Sequence, residues 1–349
     1  MFLARARPQT ADAIVRDLGS DDPRVRVATA GHAPGVVGDD RGEVRARVVE
    51  ALARALKDAH QAVRGAAALA LADLDADEAL PALLEAVDDD EASVRELAVT
   101  ALGEIGDPRA HDRVQRALRD SLPEVRFQAI VAFPRIARAA GVAHEIWGAL
   151  SAGLEDDDAL VRGRAAEACA ELADGEELPA TVADRLARVV RDDEQPHDAR
   201  VAAAIALGES GDARCRPVLL AVLRGEIQES DPRRLQAVYE IVGELRLEEA
   251  RPLLHAASFG LRARFGDPSR RAAALIALIR LGDRRAIDFV LAELEARGWE
   301  RRVAALGVVA RTSLVEARSR VLAMRADPMT ADAAADVLAQ LDGEPRPTS

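Results

Sequence analysis

The sequence predicts an all-α solenoid of about ten stacked helix pairs, and three observations lead there. The first is composition. The 349 residues include 74 Ala, 46 Arg against a single Lys (Lys57) and no Asn, and only 3% are aromatic. Large side chains are too scarce to fill a thick globular core, whereas an Ala-, Arg-, Glu- and Leu-rich chain favours helices packed closely through small residues. The second is an internal repeat. A Val-Arg pair recurs at Val25-Arg26, Val63-Arg64, Val94-Arg95, Val125-Arg126 and Val161-Arg162, with the Arg spaced by 38, 31, 31 and 36 residues. The third is the stop after each Ala-rich stretch that follows the anchor. It is clear as LGEIGD at 102–107 and LGESGD at 207–212, and shortened to LGD at 281–283. Gly after an apolar run is a helix C-terminal signal.

Each unit therefore reads as helix A, a tight acidic turn, helix B and a Gly/Asp turn. Helix A is expected to begin near 10, 43, 78, 110, 143, 180, 214, 247, 285 and 314. Its partner helix B begins near 23, 60, 92, 123, 159, 198, 232, 268, 299 and 329. In the third unit Val94, Leu97, Ala98, Ala101, Leu102 and Ile105 form one apolar stripe at helical spacing. A lone pair cannot bury two such stripes, but stacked pairs can. Four departures stand out. GHAPG at 31–35 predicts an early break in the first helix B. In the seventh unit Leu235 stands one off, in the Arg position. The tenth places Ala331 where Arg should be, as in a terminal cap. DGEPRPTS at 342–349 reads as a disordered tail, which leaves 1–341 as a single solenoid.

The stretch DDDEASVRELAVTALGEIGDPRAHDRVQRALRD at 88–120 resembles the HEAT-like repeats first described in the bilin lyase subunits of phycobilisome-containing organisms, and the resemblance extends over nearly the whole chain. It implies a concave face lined by B helices and a convex face lined by A helices. It implies little about activity, because the fold hosts many functions. By resemblance alone, an alternative function is help in attaching a bilin chromophore.

An Asp stands six residues before four of the anchors: Asp58 before Arg64, Asp89 before Arg95, Asp120 before Arg126 and Asp156 before Arg162. Such an Asp can cap the free N–H groups that open helix B. The Arg can pair with it or with the Asp of the next repeat. These eight residues read as a structural ladder. The acidic turns, such as 88–91 and 155–158, read as caps and solvated edges, and none supplies the alternating ligands, Gly and closing Glu of a calcium loop. The six His are dispersed, with none paired at helical spacing for zinc. His144-Glu145 is the only His-Glu dipeptide, which separates the chain from the di-iron HEAT-like hydroxylases. Cys169 and Cys215 fit small-residue packing better than reactive thiols, and no nucleophile elbow or phosphate-binding Gly loop is present. No catalytic, cofactor or metal residue is expected.

The net charge of −13 is unevenly placed. Residues 1–231 carry 28 basic and 44 acidic side chains, whereas 232–325 carry 18 Arg and 11 acids. Arg262, Arg264, Arg270, Arg271, Arg284, Arg285, Arg301 and Arg302 form a basic patch within 233–325, with Phe259, Phe265 and Trp299 nearby. A nucleic-acid or phosphate-binding solenoid is thus a second alternative function. The leading expectation is a non-enzymatic scaffold that grips a protein partner. Its contact residues lie one, five and nine positions after the B-helix anchors: Glu96, Thr100 and Glu104; Phe127, Val131 and Arg135; Gly163, Glu167 and Glu171; Val201, Ile205 and Glu209. Phe127 is the expected hot spot. No apolar run is long enough for a signal peptide or a membrane span, so a soluble, cytoplasmic protein in a reducing compartment is expected.

Overall fold

In the computed structural model, residues 10–38, 42–173, 177–260 and 267–342 are described, and they contain twenty α-helices. Their contacts divide the chain into two compact units. The first holds the pairs α1 (Ala11–Asp17) and α2 (Pro23–Val37), α3 (Glu43–Ala55) and α4 (Gln61–Asp73), α5 (Leu80–Ala86) and α6 (Ala92–Ile105), α7 (His111–Ala117) and α8 (Pro123–Ala139), then α9 (Ile146–Gly153) and most of α10 (Ala159–Ala173). The division passes through α11 (Ala180–Arg191). The second unit holds α12 (His197–Glu209), α13 (Arg216–Arg224), α14 (Pro232–Glu244), α15 (Arg251–Phe259), α16 (Pro268–Arg280), α17 (Arg284–Glu293), α18 (Trp299–Thr312), α19 (Arg318–Met324) and α20 (Ala331–Leu341). Within each unit successive B helices pack on one another: α2 on α4, α4 on α6 and α6 on α8 in the first, and α12 through α20, even numbers, in the second. The fold is an α-solenoid of helix pairs.

The helix starts fall where the repeat places them, with one refinement. Before six of the A helices the chain makes a turn of 3-10 helix, as at Asp77–Ala79 and Pro108–Ala110. This tighter turn follows Gly106, Gly141 and Gly211 at three of the six, and Asp75, Arg246 and Ser313 at the others, and leads into the next A helix. At the Gly stops Gly106, Gly211 and Gly282 have φ of 72°, 79° and 71°, a conformation that L side chains adopt only with strain.

The expected break at 31–35 does not occur: α2 continues through Pro34 to Val37. Pro34 removes one N–H from the ladder. Against that loss, Ala30 and Ala33 are fully buried where α2 packs on α4, and Gly38 N–H donates to the Pro34 carbonyl at 2.9 Å. α8 likewise runs through Pro134, between buried Phe133 and Ile136. Packing decides the helix in both places. The stretch 343–349 lies outside the described residues, while Asp342 is held by Arg318 at 2.9 Å.

Small residues set the distance between stacked B helices. A Cβ built on Gly103 in α6 would lie 2.7 Å from the Ala132 Cβ and 3.1 Å from its Cα on α8. On α14, a Cβ on Gly243 would lie 2.9 Å from the Ala277 Cα on α16. By contrast Gly31 in α2 has nothing within 4 Å of a Cβ. Two substitutions of the same chemistry therefore differ in sign. Gly31→Ala should stabilise by up to about 1 kcal/mol through helix propensity. Gly103→Ala should destabilise by about 1–3 kcal/mol, because the helices must separate. Urea unfolding of the two variants beside the parent checks this.

Candidate interaction surface

The arginine ladder holds the B helices in register. Of the two pairings open to each anchor, the structure shows the one to the next repeat. Arg26 donates from Nε and Nη2 to both oxygens of Asp58, Arg64 to Asp89, Arg95 to Asp120 and Arg126 to Asp156, at distances of 2.6–2.9 Å. Nη1 of Arg64, Arg95, Arg126 and Arg162 donates to the backbone carbonyl of the Asp in its own repeat: Asp58, Asp89, Asp120 and Asp156. Each of these carboxylates also accepts the N–H two residues on, from His60, Glu91, Leu122 and Asp158. One Asp thus caps its own helix and clamps the preceding repeat. Partial burial pushes these carboxyls up, but the guanidinium and backbone N–H bonds pull further, and all four sit below the usual 3.8.

Arg302 to Asp327 is a one-pronged counterpart in the second unit: Nη2 alone donates to the carboxylate, Nε is buried without a partner among the described residues, and Met329 N–H donates to Asp327. The sequence reading assigns Arg302 to a basic patch instead. The 25-residue separation, the same as Arg64–Asp89 and Arg95–Asp120, is the signal that identifies it. In the seventh pair Arg234, one residue before Leu235, reaches Glu229 at 3.8 Å.

The B-helix surface of the first unit is a three-by-three grid on α4, α6 and α8. Its middle row, five residues after each anchor, is Leu69, Thr100 and Val131. Leu69 and Val131 are 40% and 43% exposed, high for branched aliphatics in a packed unit. Thr100 donates its hydroxyl to the Glu96 carbonyl at 3.0 Å, so its methyl is left for contact. The row nine after the anchors is Asp73, Glu104 and Arg135, all exposed, and Arg135 lies across Gly106. The row one after the anchors is Gly65, buried beneath Leu97, then half-buried Glu96 and Phe127. Asp73, Glu96 and Glu104 make no ion pair among the described residues. Leu69 was missed in the sequence, although it stands at the same offset from Arg64 as Val131 does from Arg126.

On α10, Gly163 is half-buried, and Glu167 and Glu171 both bond Arg164, at 3.1 and 3.3 Å. On α12 the expectation fails. Val201 and Ile205 are buried, as is every residue from Val201 to Gly208, because α12 is apolar on all sides and packs on α13 and α14. Glu209 is half-buried at its end.

Half of the described basic patch of the second unit is neutralised by carboxylates of the same unit. Arg284 pairs with Asp288 and Glu316, Arg301 with Glu293 and Arg302 with Asp327. Arg262, Arg264 and Phe265 lie outside the described residues. Arg270, Arg271 and Arg285 form no ion pair among the described residues. Arg270 donates to the buried Tyr239 hydroxyl at 3.0 Å, and Arg285 lies 4.4 Å over the Phe259 ring. Phe259 packs edge-on to Phe289 at 5.5 Å, so it is engaged within the protein, and Trp299 is 46% exposed. Cys169 and Cys215 are buried, and burial pushes both thiols up to about 12, which leaves little thiolate at neutral pH. Among the described residues no three His, Cys, Asp or Glu side chains gather as a metal site, and no helix is long and apolar enough to cross a membrane.

Comparison with known proteins agrees with this geometry. Residues 11–96 and 87–144 match HEAT repeats, and 199–225 match the PBS lyase HEAT-like repeat. Among solved structures, YibA of Escherichia coli is 20% identical, with 78% of this chain and 92% of that chain covered at a TM-score of 0.57. The karyopherin Kap121p bound to Pho4p is 15% identical over 95% of this chain, with a TM-score of 0.51, and this chain spans 41% of its length. The complex of CpcE and CpcF of phycocyanin lyase from Nostoc is 20% identical over 70% of this chain and 98% of that chain, at a TM-score of 0.42. For YibA and Kap121p, at these identities, the likeness shows the fold alone. No curated protein matches the chain.

Loss of a rung leaves a part-buried Asp without its cation. Arg95→Ala and Arg126→Ala should each destabilise by about 1–3 kcal/mol. Arg320→Ala, which removes an exposed pair with Glu295, should cost under about 0.5 kcal/mol. The rung carboxyls are held below 3.8, so their contribution is complete above that pH and is lost as pH falls through the depressed values. The gap in urea midpoint between the parent and Arg95→Ala should therefore be wide at neutral pH and close as acidification takes the pH down through those depressed values.

Proposed function

We propose that this HEAT-repeat chain is a non-catalytic scaffold that binds a partner protein through the B-helix surface of its first unit. The observation that carries the reading is the row Leu69, Thr100 and Val131. Two exposed aliphatic side chains stand at one register position on helices that already pack without them. Stacked B helices lie roughly 8–10 Å apart, so the row extends for about 20 Å, the reach of a short helix or extended segment. Asp73, Glu104 and Arg135 on one side and Glu96 on the other supply polar contacts around it, the arrangement of an interface with an apolar centre and a charged rim. Half-buried Phe127 backs the row and is its aromatic anchor. The high thiol values of Cys169 and Cys215 and the dispersed His fit a protein without covalent or metal chemistry. Kap121p, of the same fold, is seen bound to Pho4p.

The test is a comparison of bound proteins. The parent chain, Leu69→Asp/Val131→Asp and Val315→Asp are used as bait in extracts of the source organism. Val315 is 68% exposed on the second unit, so it controls for loss of an exposed aliphatic. All three baits should unfold at urea midpoints equivalent to within about 0.5 kcal/mol. A partner held by the parent and by Val315→Asp but lost from the double variant is the expected result. Identical sets of bound proteins on all three would remove the B-helix surface from consideration.

A further inference from the structure

The ladder is interrupted at Arg271. Counting six residues back from the following anchor, Arg302, reaches Ala296, where Asp58, Asp89, Asp120 and Asp156 stand in the first unit. The backbone there is unchanged. Ala296 N–H donates to the Glu293 carbonyl at 3.1 Å, as Asp89 does to Ala86 at 3.2 Å and Asp120 to Ala117 at 3.1 Å. The carboxylate is missing, and with it the bond from the following anchor to this carbonyl, and one repeat later the ladder resumes at Arg302 and Asp327. Arg271 is held in other ways. Its Nε donates to the Ser258 carbonyl at 2.9 Å, and its guanidinium lies 4.9 Å over the Phe289 ring. Stacking fixes the plane of a guanidinium and leaves its in-plane donors available. Nη1 and Nη2 have no partner among the described residues.

Arg271 stands at the edge of a groove between α16, α17 and α18. Leu275, Val290, Ala305 and Val308 line its floor, and the Arg301–Glu293 pair lies along it. The groove thus joins an apolar floor to one oriented guanidinium without a counter-ion. We infer that this groove receives an acidic–apolar peptide segment of a partner protein, whose Asp or Glu carboxylate supplies to Arg271 the rung that Ala296 lacks. The side chain next to that carboxylate packs against Leu275 and Val308. A carboxylate suits the planar fork through two parallel bonds. A nucleic-acid strand would have to lay a polyanion along the apolar floor, where it meets few donors.

The test selects dodecapeptides from a random phage-displayed library on the full chain and measures the best binder, fluorescein-labelled, by anisotropy. Selected peptides should share an Asp or Glu beside Leu, Ile, Val or Phe. Their affinity should fall about tenfold or more in Arg271→Ala, which removes the donor, and equally in Ala296→Asp, which fills the fork from within. Arg325→Ala, an exposed arginine without an ion pair, should bind as the parent does. Ala296→Asp should also raise the urea midpoint in the parent and leave it unchanged in the Arg271→Ala background. That second readout holds even if Arg271→Ala alone folds poorly. The inference is overturned if no peptide is selected, if the selected peptides lack an acidic residue, or if both variants bind undiminished. It is overturned equally if Ala296→Asp gives no Arg271-dependent rise, or if labelled oligo-dT binds more tightly than any peptide and loses that binding in the same variants.

Discussion

Everything in the first unit depends on one interaction repeated along it, the two-pronged bond from an anchor arginine to the aspartate of the next repeat. A stack of short Ala-rich helices has weak means of choosing its register. Its apolar stripes are made of small side chains, and one small side chain packs against another in several near-equivalent offsets. The rung removes that freedom. Because Asp89 accepts from Arg64 and from its own Glu91 N–H, while its carbonyl accepts from Arg95, one residue ties three elements together. A partly buried ion pair is weak evidence for stability by itself, since desolvation opposes the attraction. Here its best-supported role is specification: the planar fork admits one offset between consecutive B helices.

The same constraint explains what was legible beforehand. Anchors, aspartates and Gly stops recur at fixed offsets, so the pairs and their boundaries could be placed to within a few residues. What could not be read was the outcome of competition between local and tertiary terms. Pro34 inside GHAPG is a helix breaker by propensity, yet burial of Ala30 and Ala33 carries α2 through it. Val201 and Ile205 stand at the offsets of Phe127 and Val131, yet α12 is packed on every side. Offset fixes direction along a helix, but whether that direction meets solvent depends on which neighbours are present.

Charge showed the same limit. Eighteen Arg against eleven acids over 232–325 read as a basic surface. In the fold, Arg251, Arg280, Arg284, Arg301, Arg302, Arg311, Arg318 and Arg320 each meet a carboxylate within the unit. Most pair over separations of 24 residues or more, which a linear count of neighbouring charges does not capture. Segment charge therefore overstates the positive field that a polyanion would meet. Of the expected patch, Arg270, Arg271 and Arg285 are without a carboxylate among the described residues, and each is engaged by an aromatic ring or a phenol instead.

A repeat protein carries its own internal reference, and this turns departures into physical statements. At Leu69 and Val131 the fold needs no apolar side chain, because Thr100 occupies the equivalent position between them and α4, α6 and α8 stack regardless. At Ala296 the turn keeps the backbone of a rung and omits its carboxylate, while the arginine that would meet it is kept and held in place by Phe289. These two kinds of departure are different in character. The first adds exposed apolar surface that water opposes, and the second leaves an oriented donor that burial opposes. Packing within the unit accounts for neither, since neighbouring repeats show that the alternative residue fits. Each is what a surface needs if its remaining contacts are to come from a second molecule: apolar area without a lid in one unit, and a fork without a counter-ion in the other.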